Sequence, residues 1–172
     1  SILWCDFSYP DRKYKDFPGK GHLDWESEKL LETIRQISPK IIINNRLDLP
    51  IAADIYTPEQ VQLLEWLKID GEPVVWEACQ TFSGSWGYHR DEETWKSPGQ
   101  LIRMLVNTVS CGGNLLMNVG PTSLGTFDPR AMKALAVYRD WMELHSESIY
   151  GCTQSEYTAP QDCRMTQKGN KL

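Results

Sequence analysis

The segment 74-VVWEACQTFSGSWGY-88 contains the change from a buried strand to a polar loop on which the fold assignment depends. Its first residues, Val74 to Trp76, are apolar, and β-branched and aromatic side chains of this kind favour a strand. Glu77 ends the apolar run, and a loop of small residues and aromatics follows, including Trp86 and Tyr88. Because an isolated charge is costly in a core, we expect Glu77 to lie at the carboxyl end of the strand.

Three other short apolar stretches precede or follow helical patterns: Ile2 to Cys5, Ile41 to Ile43 and Leu115 to Val119. Alternation of strands and helices is typical of a parallel sheet covered by helices, so the sequence predicts an α/β fold with about four βα units. The predicted helix N-caps are Asp24, Thr57, Ser97 and Asp128. Proline follows three of these residues directly, at the first helical position that it prefers.

The four predicted strands all end in polar residues: Asp6, the run Asn44-Asn45-Arg46, Glu77 and Asn118. In parallel α/β folds the ligand site lies at the carboxyl ends of the strands, whether the sheet is open or closed into a barrel. We therefore predict a ligand site at this edge. Asn118 fits a solvated loop equally well.

Two carboxylates at one edge are the minimum equipment for glycoside hydrolysis, and by position the pair is Asp6 and Glu77. Aromatic rings for packing against a sugar are predicted at positions close to the strand ends: Trp4, Trp76, Trp86 and Tyr88. The other tryptophans fall in helical patterns and are predicted to be core residues: Trp25, Trp66, Trp95 and Trp141.

Composition excludes several other classes of function. The 172 residues are 41% hydrophobic and 24% charged, which is typical of a globular protein, and the net charge of -5 includes no basic block for nucleic acid. No apolar run reaches the ~20 residues that cross a bilayer, and no signal peptide is visible. Five cysteines without a C-x-x-C pair and three histidines give no metal site, and we expect no cofactor. Cys152 and Cys163 are the one pair close enough to favour a local disulfide, and Cys79 is predicted to be a packed thiol.

Six segments, taken in order, resemble the retaining α-L-fucosidases of glycoside hydrolase family 29. They are ILWCD, IIINNR, DIYTPEQ, WEAC with SWGY, GGNLLMNVGP and ESIYGC. The resemblance implies a (β/α)8 barrel, a fold that typically needs about 250 residues. Residues 1–151 are then expected to form the C-terminal half of the barrel, and residues 152–172 a linker into a C-terminal β-sandwich.

The resemblance also implies roles for individual residues and a substrate. Asp6 is the expected nucleophile, and the substrate is a fucosylated oligosaccharide with terminal α-L-fucose. Arg46 resembles the family's sugar-binding arginine, and its place after a strand end at the same edge as Asp6 predicts that it binds either the sugar or the Asp6 carboxylate. Glu59 and Glu77 compete for the acid/base role. Glu59 matches the family's TPE position, whereas the dipole of a helix beginning there would favour its ionised form and disfavour a general acid. Trp4, Trp86 and Tyr88 are expected to contact the substrate.

Two alternatives stay open at this point. The chain is either catalytic or a non-catalytic carbohydrate-binding or structural remnant of such a barrel, and a retaining glycosidase for another sugar, such as galactose, shares the same chemistry. The family's usual compartments are extracellular, periplasmic or lysosomal. The sequence gives no indication of an oligomeric state.

Overall fold

The computed structural model describes residues 1–6, 13, 15–50 and 54–172, which form two compact units, Ser1–Thr57 and Pro58–Leu172. The helices are α1 (Ser27–Ile37), α2 (Pro98–Ser110) and α3 (Pro129–His145), with 3-10 turns at Asn45–Leu47 and Ser146–Ser148. The strands are β1 (Ile2–Leu3), β2 (Ile42–Ile43), β3 (Lys68–Ile69), β4 (Glu72–Pro73), β5 (Glu77–Thr81), β6 (Asn114–Asn118), β7 (Thr153–Gln154) and β8 (Thr166–Gln167).

The first unit pairs β1 and β2 in parallel, with Ile2 opposite Ile42 and Leu3 opposite Ile43. Its core consists of buried and partly buried side chains from α1 and from the segments around β1 and β2: Ile43, Leu47 and Leu49, with Cys5, Leu31, Ile34 and Ile41 packed against them. The predicted N-cap of α1 is wrong. Asp24 accepts a hydrogen bond from the Gly21 N–H, and α1 begins at Ser27 after a left-handed residue, Glu26.

The second unit pairs β5 and β6 in parallel, from Glu77 opposite Asn114 to Thr81 opposite Asn118. Its core lies between these strands and the helices α2 and α3: Phe82, Leu101 and Ala134, with Trp95, Met104, Met117, Val119, Leu135 and Tyr138 packed against them. Parallel pairing in both units agrees with the predicted α/β class.

Residues Val74 to Trp76 were predicted to form a strand, but in the structure they precede strand β5. Val75 is exposed, and Trp76 is fully buried with its indole N–H donated to the Cys111 carbonyl. Strand β5 begins only at Glu77 and consists of small and polar residues that are buried by their neighbours. The apolar run therefore supplies a core side chain just before the strand, and Glu77 starts β5 instead of ending it.

The helix predicted from Thr57 is also wrong. Residues 58–67, all of them described, contain no helix, because the backbone of Pro58 and Gln60 bonds to β5 instead. The Cys79 N–H donates to the Pro58 carbonyl and the Gln60 N–H to the Cys79 carbonyl, each at 2.9 Å. Gln60 has φ 55°, which no helix accommodates, and a hairpin of β3 and β4 follows, turning at Asp70 and Gly71 with positive φ.

The N-caps predicted for the last two helices are confirmed. Ser97 accepts from the Gln100 N–H, and the Gln100 side chain accepts from the Ser97 N–H, which completes a capping box. Asp128 accepts from the Arg130 N–H at the start of α3. Gly112, with φ 76°, follows the end of α2, where a left-handed residue is common.

Residues after Gly151 form the short antiparallel pair β7 and β8, and the Arg164 guanidinium donates to Asn107 of α2 at 3.0 Å. The disulfide favoured between Cys152 and Cys163 is absent from this fully described segment, since both are free thiols. In the part of the chain that the structure describes, no helix combines the length and apolarity needed to cross a bilayer.

Candidate functional site

Asp6 and Arg46 meet at the ends of β1 and β2. The Arg46 Nη1 donates to Asp6 Oδ1 at 2.9 Å, and the Arg46 side chain is only 14% exposed. Its Nε and Nη2 donate to the side chain and the carbonyl of Thr57, both at 3.1 Å. The guanidinium also lies 4.4 Å from the centroid of the Trp4 ring. Arg46 is thus fixed on three sides and holds the Asp6 carboxylate in a defined position.

The two asparagines before Arg46 hold the backbone around this pair. Buried Asn44 accepts from the Cys5 N–H at 3.0 Å and donates to the Cys5 carbonyl at 2.9 Å. Asn45 accepts from both the N–H and the hydroxyl of Thr57. Sequence reasoning gave these residues no separate roles, although two amides directly after a strand were the signal. Asn44 joins the ends of the two strands, and Asn45 positions the partner of Arg46.

The geometry changes the comparison between the two glutamates. Glu77 is the first residue of β5, so the expectation that it lies at the carboxyl end is wrong. Glu59 forms a parallel bridge with Cys79, which is two residues after Glu77 in β5. Glu59 therefore lies roughly 6–7 Å closer than Glu77 to the carboxyl end of the strand. Side chains of paired and alternate residues share a face of a sheet, so both glutamates project from the same face. Glu59 is exposed and Glu77 partly buried.

The loop after β5 presents Trp86 and Tyr88, which are 39% and 41% exposed. Asn118, the last residue of β6, donates its amide to the Trp86 carbonyl at 2.5 Å. Gly120 lies against the same loop, where a Cβ atom would overlap the Tyr88 nitrogen. The end of β6 therefore supports the backbone of both aromatic residues, and Asn118 has a structural contact there.

The other aromatic predictions divide by burial. Trp76, considered for sugar packing, is fully buried and belongs to the core. Trp66, Trp95 and Trp141 are partly buried, in agreement with a packing role, but only Trp141 lies in a helix, so the helical patterns predicted around the other two are wrong. The prediction that Trp25 lies in the core is wrong. Trp25 precedes α1 and is 44% exposed, and the Lys20 ammonium lies 5.2 Å from the centre of its ring.

The described ranges contain no group of three histidine, cysteine or carboxylate side chains that could hold a metal ion. Burial raises the pKa of the Cys5 and Cys111 thiols, so both stay protonated near neutral pH and are poor nucleophiles. Cys79 is buried within β5, in agreement with its prediction as a packed thiol. The cysteines of the two cores therefore serve packing.

A strand-end carboxylate held by an arginine beside an aromatic ring is a polar site of the kind that binds a small hydroxylated ligand. The family model described as Alpha-L-fucosidase matches residues 1–147 of the chain. The chain belongs to the alpha-L-fucosidase family.

Individual relatives agree with this assignment. The alpha-L-fucosidase of Dictyostelium discoideum is 30% identical over 141 residues, which cover 74% of this chain and 28% of that protein. The plasma alpha-L-fucosidase of Homo sapiens is 42% identical over 81 residues, or 45% of this chain and 17% of the relative. The solved structure of alpha-L-fucosidase isoenzyme 1 from Paenibacillus thiaminolyticus superposes with a TM-score of 0.86 at 36% identity, covering 98% of this chain and 40% of that one. The chain thus spans well under half the length of these relatives.

Proposed function

We propose that this chain acts, as the C-terminal half of a (β/α)8 catalytic domain, in the retaining hydrolysis of terminal α-L-fucose from glycans or glycoconjugates. The observation that carries the proposal is the Asp6 carboxylate held by Arg46, beside Trp4, at the ends of two parallel strands, in a chain of the alpha-L-fucosidase family. Residues 1–151 correspond to the half-barrel and residues 152–172 to the linker that follows it. The enzyme works in an extracellular, periplasmic or lysosomal compartment.

Asp6 is the nucleophile in this proposal. Its carboxylate attacks the anomeric carbon of fucose while the glycosidic bond breaks, which gives a covalent glycosyl-enzyme. Water then attacks the same carbon, releases fucose with retained configuration and regenerates the carboxylate. Arg46 contributes by orienting Asp6, because a guanidinium held by Thr57 and Trp4 restricts where the carboxylate oxygen lies.

Glu59 is the acid/base that we favour. It would protonate the departing glycosidic oxygen and then remove a proton from the attacking water. Two objections to it no longer apply: it does not lie at a helix N-terminus, and its position opposite Cys79 is nearer the carboxyl end of β5 than that of Glu77. Glu77, partly buried at the start of β5, is better suited to a structural role.

The aromatic residues complete the proposal. Trp86 and Tyr88 offer apolar ring faces for the C–H groups of the sugar, with an indole N–H and a phenol for its hydroxyls. Trp4, two residues before the nucleophile and stacked with Arg46, adds a third ring.

The test is a panel of nitrophenyl glycosides with the full-length protein that contains this chain. We expect hydrolysis of the α-L-fucoside, with α-fucose as the first product by NMR. Asp6→Asn should lose most of its kcat and recover turnover with azide as an external nucleophile. Preferred cleavage of a galactoside would replace fucose as the substrate, and fucose binding without hydrolysis would make the protein a binding module.

A further inference from the structure

The loop between β5 and α2 closes on the carboxylate of Glu92, which is buried at 8% exposure. Its Oε2 accepts from the Ser85 hydroxyl at 2.5 Å. Its Oε1 accepts from the Thr94 N–H at 2.7 Å and from the Thr94 hydroxyl at 2.5 Å. One carboxylate therefore joins the outgoing and returning arms of the loop that carries Trp86 and Tyr88.

Thr94 extends the same closure to the start of the loop. Its hydroxyl oxygen accepts from the Gly84 N–H at 2.8 Å while donating its proton to Glu92. A Cβ atom on Gly84 would lie 2.5 Å from that oxygen, so the two arms approach too closely for a side chain at this position. The backbone immediately before Trp86 is consequently fixed at both Gly84 and Ser85.

The backbone of Glu92 is in turn tied to the beginning of α3. The Arg130 Nη1 donates to the Glu92 carbonyl at 2.8 Å, and the Trp95 indole N–H donates to it at 3.1 Å. The Arg130 guanidinium lies 4.6 Å from the Trp95 ring centroid and is paired with Asp128, the N-cap of α3. The backbone of Glu92 is thus held by the side chains of Arg130 and Trp95.

We propose that Glu92 is a positioning residue, which holds segment 84–88 so that Trp86 and Tyr88 present their rings to the sugar. The inference rests on the proposed function for its ligand, and on the hydrogen bonds of Glu92 and Thr94 for its geometry. Glu92 has no part as an acid, since hydrogen bonds, first that of Ser85 and then those of Thr94, lower its pKa to about 2. A carboxyl that stays ionised at working pH is a poor proton donor.

The experiment compares Glu92→Gln with Glu93→Gln, a matched change at the exposed neighbour, in the full-length protein. The amide nitrogen of glutamine can donate but not accept, so the Ser85 hydroxyl would have to change from donor to acceptor and the three hydrogen bonds would lose the charge that strengthens them. Glu92→Gln should therefore expose the 84–88 amides to faster hydrogen exchange. Because the rings bind ground state and transition state alike, KM for the fucoside should rise by about tenfold or more, with a much smaller change in kcat. Glu93→Gln should behave like the unmodified protein. Ser85→Ala, which removes one hydrogen bond, should show the same KM effect in smaller measure, and it serves if Glu92→Gln fails to fold.

Unchanged hydrogen exchange at residues 84–88 in Glu92→Gln and Ser85→Ala would overturn the proposal, as would an unchanged KM in these two variants. A fall in kcat for Glu92→Gln with a displaced pH profile and rescue by azide would make Glu92 an acid/base and also overturn it. Absence of fucoside hydrolysis in the unmodified protein would refute the proposed function instead, and the exchange measurement would still decide whether Glu92 holds the loop.

Discussion

Arg46 distributes its donors between the Asp6 carboxylate and both oxygens of Thr57, so a change in the shape of its head group affects both partners. Arg46→Lys keeps the positive charge but loses the planar fork that reaches both partners. We expect kcat/KM for the fucoside to fall by roughly 10–100-fold, the cost of one or two charge-assisted hydrogen bonds, with the thermal midpoint nearly unchanged. Steady-state kinetics beside thermal unfolding checks this, and unaltered kcat/KM would make Arg46 a structural residue only.

Dependence of the rate on the leaving group distinguishes Glu59 from Glu77 as the acid/base. Loss of a general acid harms substrates with poor leaving groups far more than activated aryl glycosides, whereas loss of a structural carboxylate harms both alike. We therefore expect Glu59→Ala to retain much of its turnover on a dinitrophenyl fucoside, to lose it on a fucosylated disaccharide, and to recover with azide. Glu77→Ala serves as the matched control and should affect both substrates equally. The reverse pattern in the two variants would assign the role to Glu77.

The sequence predicted the contact between Asp6 and Arg46, but it placed Glu77 at the wrong end of its strand and missed the burial of Trp76. Asp6 and Arg46 come soon after strands, so their proximity follows from parallel pairing. Trp76 lies beside Glu77 in the chain, yet it is fully buried. Local sequence does not distinguish an aromatic side chain that enters the core from one that faces a ligand, because the decision rests on residues far along the chain, such as Gly113.

Helix α3 begins at an ionised carboxylate cap, Asp128, whose charge is lost in acid. The hydrogen bonds of Arg130, first from its side chain and then from its N–H, lower the pKa of the buried Asp128 N-cap to about 2. A carboxyl with a lowered pKa stabilises the fold above its unfolded pKa, which is about 3.9, and this contribution is lost as the pH falls through 2. Glu92 also interacts electrostatically with Arg130. The thermal midpoint of the unmodified chain should therefore fall between about pH 4 and pH 2.

The control for this prediction is Asp128→Asn, which keeps a capping side chain without a titrating group. Its thermal midpoint should be lower near neutral pH and should fall less between pH 4 and pH 2, because the remaining decline comes from other carboxyls such as Glu92. Parallel curves for the two proteins would show that Asp128 is not the titrating group responsible.

The elements that sequence predicted best are those whose ends carry their own hydrogen bonds. Ser97 and Asp128 cap their helices as expected, since each interaction is complete within four residues. The segment 57–60 has similar cap residues but forms no helix, because its backbone is hydrogen-bonded to β5. In addition, the Gln60 side-chain amide donates a hydrogen bond to the Thr81 hydroxyl. A nonlocal strand pairing therefore overrode a local helix signal.

Large apolar side chains are exposed in both units of the chain. Among the described residues, six large apolar side chains are at least 70% exposed: Phe17, Leu23, Ile37, Leu64, Leu124 and Leu144. The described strands form four two-stranded sheets, and open strand edges favour pairing with other chains. We expect the 172-residue chain to self-associate as its concentration rises, which sedimentation velocity would show. A single monomeric species of the chain over the same concentration range would contradict this.

The fold of the chain was predictable from its sequence only in part. Alternating apolar runs and helix caps predicted parallel α/β units, and both units pair their long-range strands in parallel. The prediction of a barrel rests on family resemblance alone. Closure of a barrel needs a continuous parallel sheet, whereas the described strands form pairs.

The two glycines after α2 have a consequence for how this sequence changes over time. A Cβ atom on Gly113 would overlap the Trp76 ring, and one on Gly112 would lie 2.5 Å from the Trp66 ring. The glycines and the indoles therefore share the same space in pairs. In related sequences a larger residue at position 113 should appear only after a smaller residue has replaced the indole at position 76. The order of the two substitutions is therefore constrained, and we expect the two positions to covary.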